Sequence, residues 1–99
     1  MTVLMTKRVG PRAVTGWRRR VDVRASDSAA EWAIRRILFT GYVVAPDTDL
    51  DVEHAILATD VVIGALEYPG VYAVVRGSRV VAIATARWRS PIAGDATRP

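Results

Sequence analysis

Residues 71–88 read VYAVVRGSRVVAIATARW, two β-branched apolar runs on either side of a Gly-Ser pair. Valine, isoleucine, tyrosine and threonine suit a pleated strand, and glycine at the first central position suits a two-residue turn. The stretch is expected to form a tight antiparallel hairpin. Strand alternation predicts Val71, Ala73, Val75, Val80, Ala82, Ala84 and Trp88 on one face, with Tyr72, Val74, Val81 and Ile83 on the other. Both faces are apolar, more than the layers of so short a chain can cover. One hairpin face or the Trp32/Phe39 face is therefore expected to remain exposed and to join copies into a dimer or larger.

The upstream elements follow from periodicity. Residues 1–17 show neither a helical nor a strand period and contain Gly10-Pro11 and Gly16, as an arm or loop does. Residues 19–25 alternate, Val21 and Val23 against Arg20, Asp22 and Arg24, which predicts a half-buried strand. Ser28 followed by Glu31 reads as a capping box. Ala30, Ala33, Ile34, Ile37 and Leu38 then fall on one helical face, with Gly41 placed to end the helix in the left-handed conformation. YVVA (42–45) is a short strand closed by Pro46. From Thr48 or Asp49, the residues Val52, Ala55, Ile56, Thr59, Val62, Ile63 and Leu66 fit a second helix. A competing reading makes VVIGAL (61–66) a strand followed by a Pro-Gly turn in EYPG. The expected fold class is α/β (α+β): a small single-layer sheet with two helices, in the order βαβαββ, ending in the hairpin. Residues 1–17 are expected to be a basic arm or loop, 18–89 one globular domain and 90–99 a polar tail.

Composition removes several chemistries. The 99 residues are 51% apolar and 24% charged, enough for one core and too short for two. No run approaches the roughly 20 apolar residues that span a bilayer. The opening MTVLMTK is too short for a secretory signal. With no cysteine, disulfides, thiolate metal sites and cysteine nucleophiles are excluded, and a cytoplasmic protein is expected. Asp47, Asp49 and Asp51 alternate like the start of a calcium loop, but that loop needs glycine and glutamate where Val52 and Ala58 stand. These acids are instead expected in the first turn of the second helix, at the positive end of its dipole. His54, the only histidine, has no serine in a nucleophile-elbow setting and no partner ligands for zinc. No glycine pattern cradles phosphate. No catalytic residue, metal or cofactor is expected, and hence no enzyme.

Charge is the remaining signal. Residues 1–24 carry +6, residues 25–67 carry −6 and residues 68–99 carry +4. A basic arm that seeks phosphate has this asymmetry. Coding bias would also supply it, since thirteen of the fourteen basic residues are arginine. In GWRRRVDV (16–23), strand alternation would send Arg18, Arg20 and Arg24 to one face as a phosphate-binding ridge. Arg8 and Arg12 would extend it, Arg19 would pack on apolar surface, and Trp17 or Trp88 would stack beside it. On the first helix, Trp32 and Phe39 lie opposite the buried stripe and, with Arg35 and Arg36, are expected to form a partner interface.

VDVRASDSAAEWAIRRIL together with VYAVVRGSRVVAIATARW looks like the first half of an acetyl-CoA-dependent N-acetyltransferase. The family's pyrophosphate-binding motif does not follow the hairpin, so transferase activity is not implied. The βαβαββ order over residues 19–89 is also similar to the Alba family of archaeal nucleic-acid-binding proteins, without that family's lysine motif after the first strand. Two functions are expected from these features. One is a self-associating, non-enzymatic nucleic-acid-binding module. The other is a protein-interaction or assembly component, such as a small virion or regulatory subunit of a phage or bacterium, whose arginines meet acidic protein surfaces.

Overall fold

The computed structural model describes residues 8–46 and 48–87. Two helices lie against one six-stranded sheet, a mixed α+β fold. In chain order the elements are β1 (Arg8–Val9), α1 (Pro11–Arg20), α2 (Asp27–Thr40), β2 (Tyr42–Val44), β3 (Leu50–Asp51), β4 (Val61–Gly64), β5 (Val71–Arg76) and β6 (Arg79–Ala86). The two helices are therefore consecutive, not interleaved with strands as βαβαββ requires. The similarity to the Alba family rested on that order and goes with it. No described helix is long and apolar enough to cross a membrane.

The first helix lies where an arm and a strand were expected. Pro11 sits at its first position, where the missing N–H costs no hydrogen bond and the fixed φ already suits a helix. Ala13, Gly16 and Trp17 are buried at i, i+3 and i+4, so the Gly-Pro pair starts a helix instead of marking a loop. A Cβ on Gly16 would sit 3.4 Å from the Ile83 Cβ, and α1 uses that bare position to lie close on β6. Trp17 is buried, with its ring edge-on to Tyr68 at 5.0 Å, and cannot stack on a ligand. Trp88 lies outside the described residues, as do residues 90–99.

The second helix follows the expected face, with Ala30, Ile34, Ile37 and Leu38 buried. Its cap is Ser26, not Ser28: the Ser26 hydroxyl accepts from the Ala29 amide at 3.0 Å. Gly41 ends the helix with φ −79° and ψ −176°, extended and not left-handed. Its requirement for glycine is spatial, since a Cβ there would lie 2.4 Å from the Gly64 carbonyl oxygen and 2.6 Å from that of Ile37.

The sheet runs β1-β6-β5-β4-β2, with β3 paired to the far end of β6. Only β1 is parallel to its neighbour. Val61–Gly64 is a strand between β2 and β5, so the competing reading of 61–66 is the observed one. The helical period was present, but Val61, Val62 and Ile63 are β-branched, and two flanking strands satisfy their backbone groups. Tyr68–Val71 is the Pro-Gly turn, closed by the Val71 amide on the Tyr68 carbonyl at 3.0 Å, with Gly70 at φ 84°.

The hairpin forms as expected around Gly77 at φ 62°, but its faces differ. Val75 pairs with Val80 and Val74 with Ala82, which leaves Val81 as a bulge. Beyond it the alternation is reset. Ile83 joins Val71, Ala73, Val75 and Val80 in the core beneath the helices, while Ala82 and Ala84 join Val74, Val62 and Leu50 on the opposite face. That second face is covered in part by Val44, Val52 and Ile56 from the 44–60 segment.

Replacing Gly41 with alanine is expected to lower stability by about 1–3 kcal/mol, the usual cost of forcing atoms into filled space. Urea denaturation of Gly41→Ala against wild type measures it.

Candidate functional site

GWRRR is the end of α1, so its side chains fan around a helix at about 100° per residue and do not line a strand edge. All three arginines meet carboxylates. Arg18 pairs with Asp27 at 3.0 Å, Arg19 with Glu53, and Arg20 with Asp51 at 3.1 Å. The roles of Arg19 and Arg20 are the reverse of those expected. The Arg20 side chain is only 16% exposed and also donates to the Thr85 hydroxyl at 3.3 Å, while Arg19 is 63% exposed. Arg20 is thus the packing residue, and its buried Nε has no hydrogen-bond partner.

The same pairing runs through the molecule. Arg76 binds Asp60, and Arg87 binds Asp49. The acidic middle of the chain is therefore neutralised by the two basic flanks, and Asp49 and Asp51 serve as ion-pair partners, not as acids of a helix start. Asp47 lies outside the described residues, and no group of three or more potential metal ligands occurs among those described. Asp60 is the most enclosed of these acids, with no side-chain exposure. It accepts from Arg76 Nε and Nη2 at 2.9 Å each and from the Leu57 amide at 2.8 Å. The Arg76 hydrogen bonds hold its carboxyl below the ordinary range against the opposing effect of burial.

Arg8 and Arg79, which meet no carboxylate among the described residues, gather beside Arg76. Arg8 lies opposite Arg79 on β1 and β6, and Arg79 lies opposite Arg76 on β6 and β5. Three arginines thus form one row across neighbouring strands about 4.8 Å apart. Directly opposed residues share a face, and Val9, Val80 and Val75 in the next row belong to the helix-side core. The arginine row therefore faces the opposite side. Like charges in register repel, and only Arg76 has a carboxylate among the described residues. Arg79 and Arg76 were not among the arginines expected to bind. Their symmetrical placement about Gly77-Ser78 was the available signal, because a two-residue turn sets its flanking residues opposite each other.

Beside this row lies a cleft of about 500 Å³. Val74, Val81 and Ala82 belong to the sheet side of its lining, and Val52, His54, Ala55 and Leu57 come from the loop before β4. Arg12, Arg76 and Arg79 complete the polar part. No carboxylate and no aromatic ring lines it apart from the imidazole. Arg12 Nη1 lies 3.0 Å from His54 Nε2. A guanidinium can only donate, so in this contact Nε2 is the acceptor. His54 is thereby held by the Arg12 cation.

On the helix side, Trp32, Arg36 and Phe39 stand at i, i+4 and i+7, one stripe along α2. Arg36 makes a two-pronged bond to Glu67 at 2.7 and 2.9 Å, which fixes the stripe beside the β4–β5 loop carrying Leu66. Arg35 pairs with Glu31 one turn back. Trp32, Phe39, Val43 and Leu66 are each at least 62% exposed. Of the five arginines expected to bind phosphate, Arg18 and Arg20 are paired, Arg8 and Arg12 lie at the row and the cleft, and Arg24 stands apart in the turn between the helices. Matched against protein families, curated proteins and solved structures, the chain finds no counterpart.

Truncation separates the arginines of the run. Arg20→Ala is expected to lower stability by about 1–3 kcal/mol, because it removes charge-assisted bonds and a packed stem. Arg18→Ala and Arg19→Ala are expected to change it by no more than about 1 kcal/mol, as exposed ion pairs do. Denaturant midpoints of the three variants rank them directly.

Proposed function

We propose that this chain is a non-enzymatic, self-associating protein-interaction module of the cytoplasm. The observation that carries the reading is the Trp32–Arg36–Phe39 stripe, continued by Leu66 and Val43. An aromatic residue buries about 150–250 Å² when covered, and exposed apolar groups of this size on a small domain mark contact surfaces. Arg36 already has its carboxylate in Glu67, so covering the stripe strands no unpaired charge. A second copy is the occupant we infer, since a two-fold contact sets two such stripes against each other. Sedimentation velocity at tens of micromolar is expected to give a dimer or larger, and Trp32→Ser with Phe39→Ser a monomer with an unchanged fold. A wild-type monomer at that concentration removes the reading.

A second reading, contact with nucleic-acid phosphates, is supported by Arg8, Arg12, Arg24 and Arg79, whose side chains meet no carboxylate among the described residues. Arginine presents a fork of donors suited to phosphate oxygens. A random duplex is then expected to shift in a mobility assay at low salt and to be released at moderate salt. Reversal of Arg8, Arg12 and Arg79 to glutamate is expected to abolish the shift, and a duplex indifferent to that reversal counts against the reading.

A further inference from the structure

We propose that the cleft between α1, the hairpin and the loop before β4 binds a small amphipathic oxyanion: a carboxylate or phosphate head on an aliphatic body. The size fits, because small-ligand sites commonly enclose about 300–1,000 Å³ and this one encloses about 500 Å³. The lining divides into two chemistries. Val52, Leu57, Val74, Val81 and Ala82 offer an aliphatic surface, and the only aromatic side chain in the lining is His54, whose ring is engaged by Arg12. Arg12 and Arg79 offer positive charge without a carboxylate among the described residues to offset it. Arg76 has been neutralised by Asp60, and that bond, with the Arg76 contact to the Ala55 carbonyl at 3.3 Å, holds the loop that walls the cleft.

The head belongs at Arg12 and Arg79. Arg79 stands beside Arg8 in one cross-strand row, and an oxyanion there would relieve the repulsion between these two. Among the described residues Arg12 meets only the His54 ring nitrogen, so its remaining donors are available to an oxygen pair. An inorganic anion alone would leave the aliphatic lining wet. A neutral lipid would leave the two guanidinium groups unanswered. A molecule carrying both parts answers both.

Calorimetric titration of the full chain with octanoate, octyl phosphate, octanol and acetate tests this. Octanoate or octyl phosphate is expected to bind at least tenfold more tightly than octanol and acetate, and the tighter of the two identifies the head. From butanoate to octanoate, affinity is expected to rise by up to about fourfold for each methylene that becomes fully buried. Arg12→Gln with Arg79→Gln is expected to weaken octanoate at least tenfold, whereas Arg24→Gln, remote in the turn between the helices, is expected to leave it unchanged. Leu57→Ser, at a half-exposed wall position, is expected to flatten the chain-length dependence. Octanol binding as tightly as octanoate, affinity independent of chain length, an indifferent double arginine variant, or no binding of either oxyanion at millimolar concentration would overturn the proposal.

Discussion

The extra residue in β6 sets the rest of the molecule. Val81 has no partner across the hairpin, because Val80 pairs with Val75 and Ala82 with Val74. A β-bulge of this kind turns every following side chain to the other face. Ile83 thereby comes to lie beneath Gly16 of α1, the close approach that lets the helix seat on β6. Burying a side chain of this size contributes about 1.5–3 kcal/mol. Under unbroken alternation the alanines at 82 and 84 would lie beneath the helix, and Ile83 would stand on the open face. The bulge thus fills the core on one side. On the other it keeps the sheet surface low, with Val81 and Ala82 lining the cleft.

Charge acts at the next level. The basic–acidic–basic layout of the sequence is the one-dimensional trace of contacts made in three dimensions. Arg19 and Arg20 reach Glu53 and Asp51, Arg76 reaches Asp60, and Arg87 reaches Asp49. These bonds join the 49–60 segment to α1, to Arg76 of β5 and to Arg87 beyond β6, alongside the packing of Leu50, Val52 and Ile56 on the sheet. Exposed pairs contribute little individually. The Asp60 pair differs because one partner is fully enclosed and removing the other would leave a buried charge. A net charge of +4 is therefore a poor guide to phosphate affinity here, since most of the arginines already have carboxylates.

The hairpin, the buried face of α2, the strand at 42–44 and the outward Trp32 and Phe39 were legible because each repeats a local physical signal over several residues. The Gly-Pro opening of α1 was not, because Gly10-Pro11 marks a loop and a helix start equally well until Ala13, Gly16 and Trp17 are weighed together. Val52 to Leu66 carried a true helical period, yet Val61–Gly64 pairs with strands on both sides, and only the fold supplies that context. The bulge left no local mark: Val80 and Val81 are identical side chains, and which of them drops out of register depends on what lies above Ile83. Arg20 and Arg19 exchanged roles for a related reason. Once the run is helical, the residue nearest the sheet is fixed by the helix phase set at Ala13 and Trp17, not by strand alternation.

The two candidate surfaces lie on opposite sides of the sheet, and this bears on how they would work together. The apolar stripe belongs to α2 and the β4–β5 loop, while the arginine row lies on the other face of the sheet and the cleft beside it is bordered by the start of α1. Association through the stripe would bury Trp32 and Phe39 without touching Arg12 or Arg79, so each copy in a pair would keep its cleft open to solvent. The converse also holds. A ligand seated between α1 and the 52–57 loop would bridge two segments now joined by ion pairs between Arg19, Arg20 and the acids at 53 and 51. Such a ligand would add a further link between α1 and the 52–57 loop, at a distance from the apolar stripe.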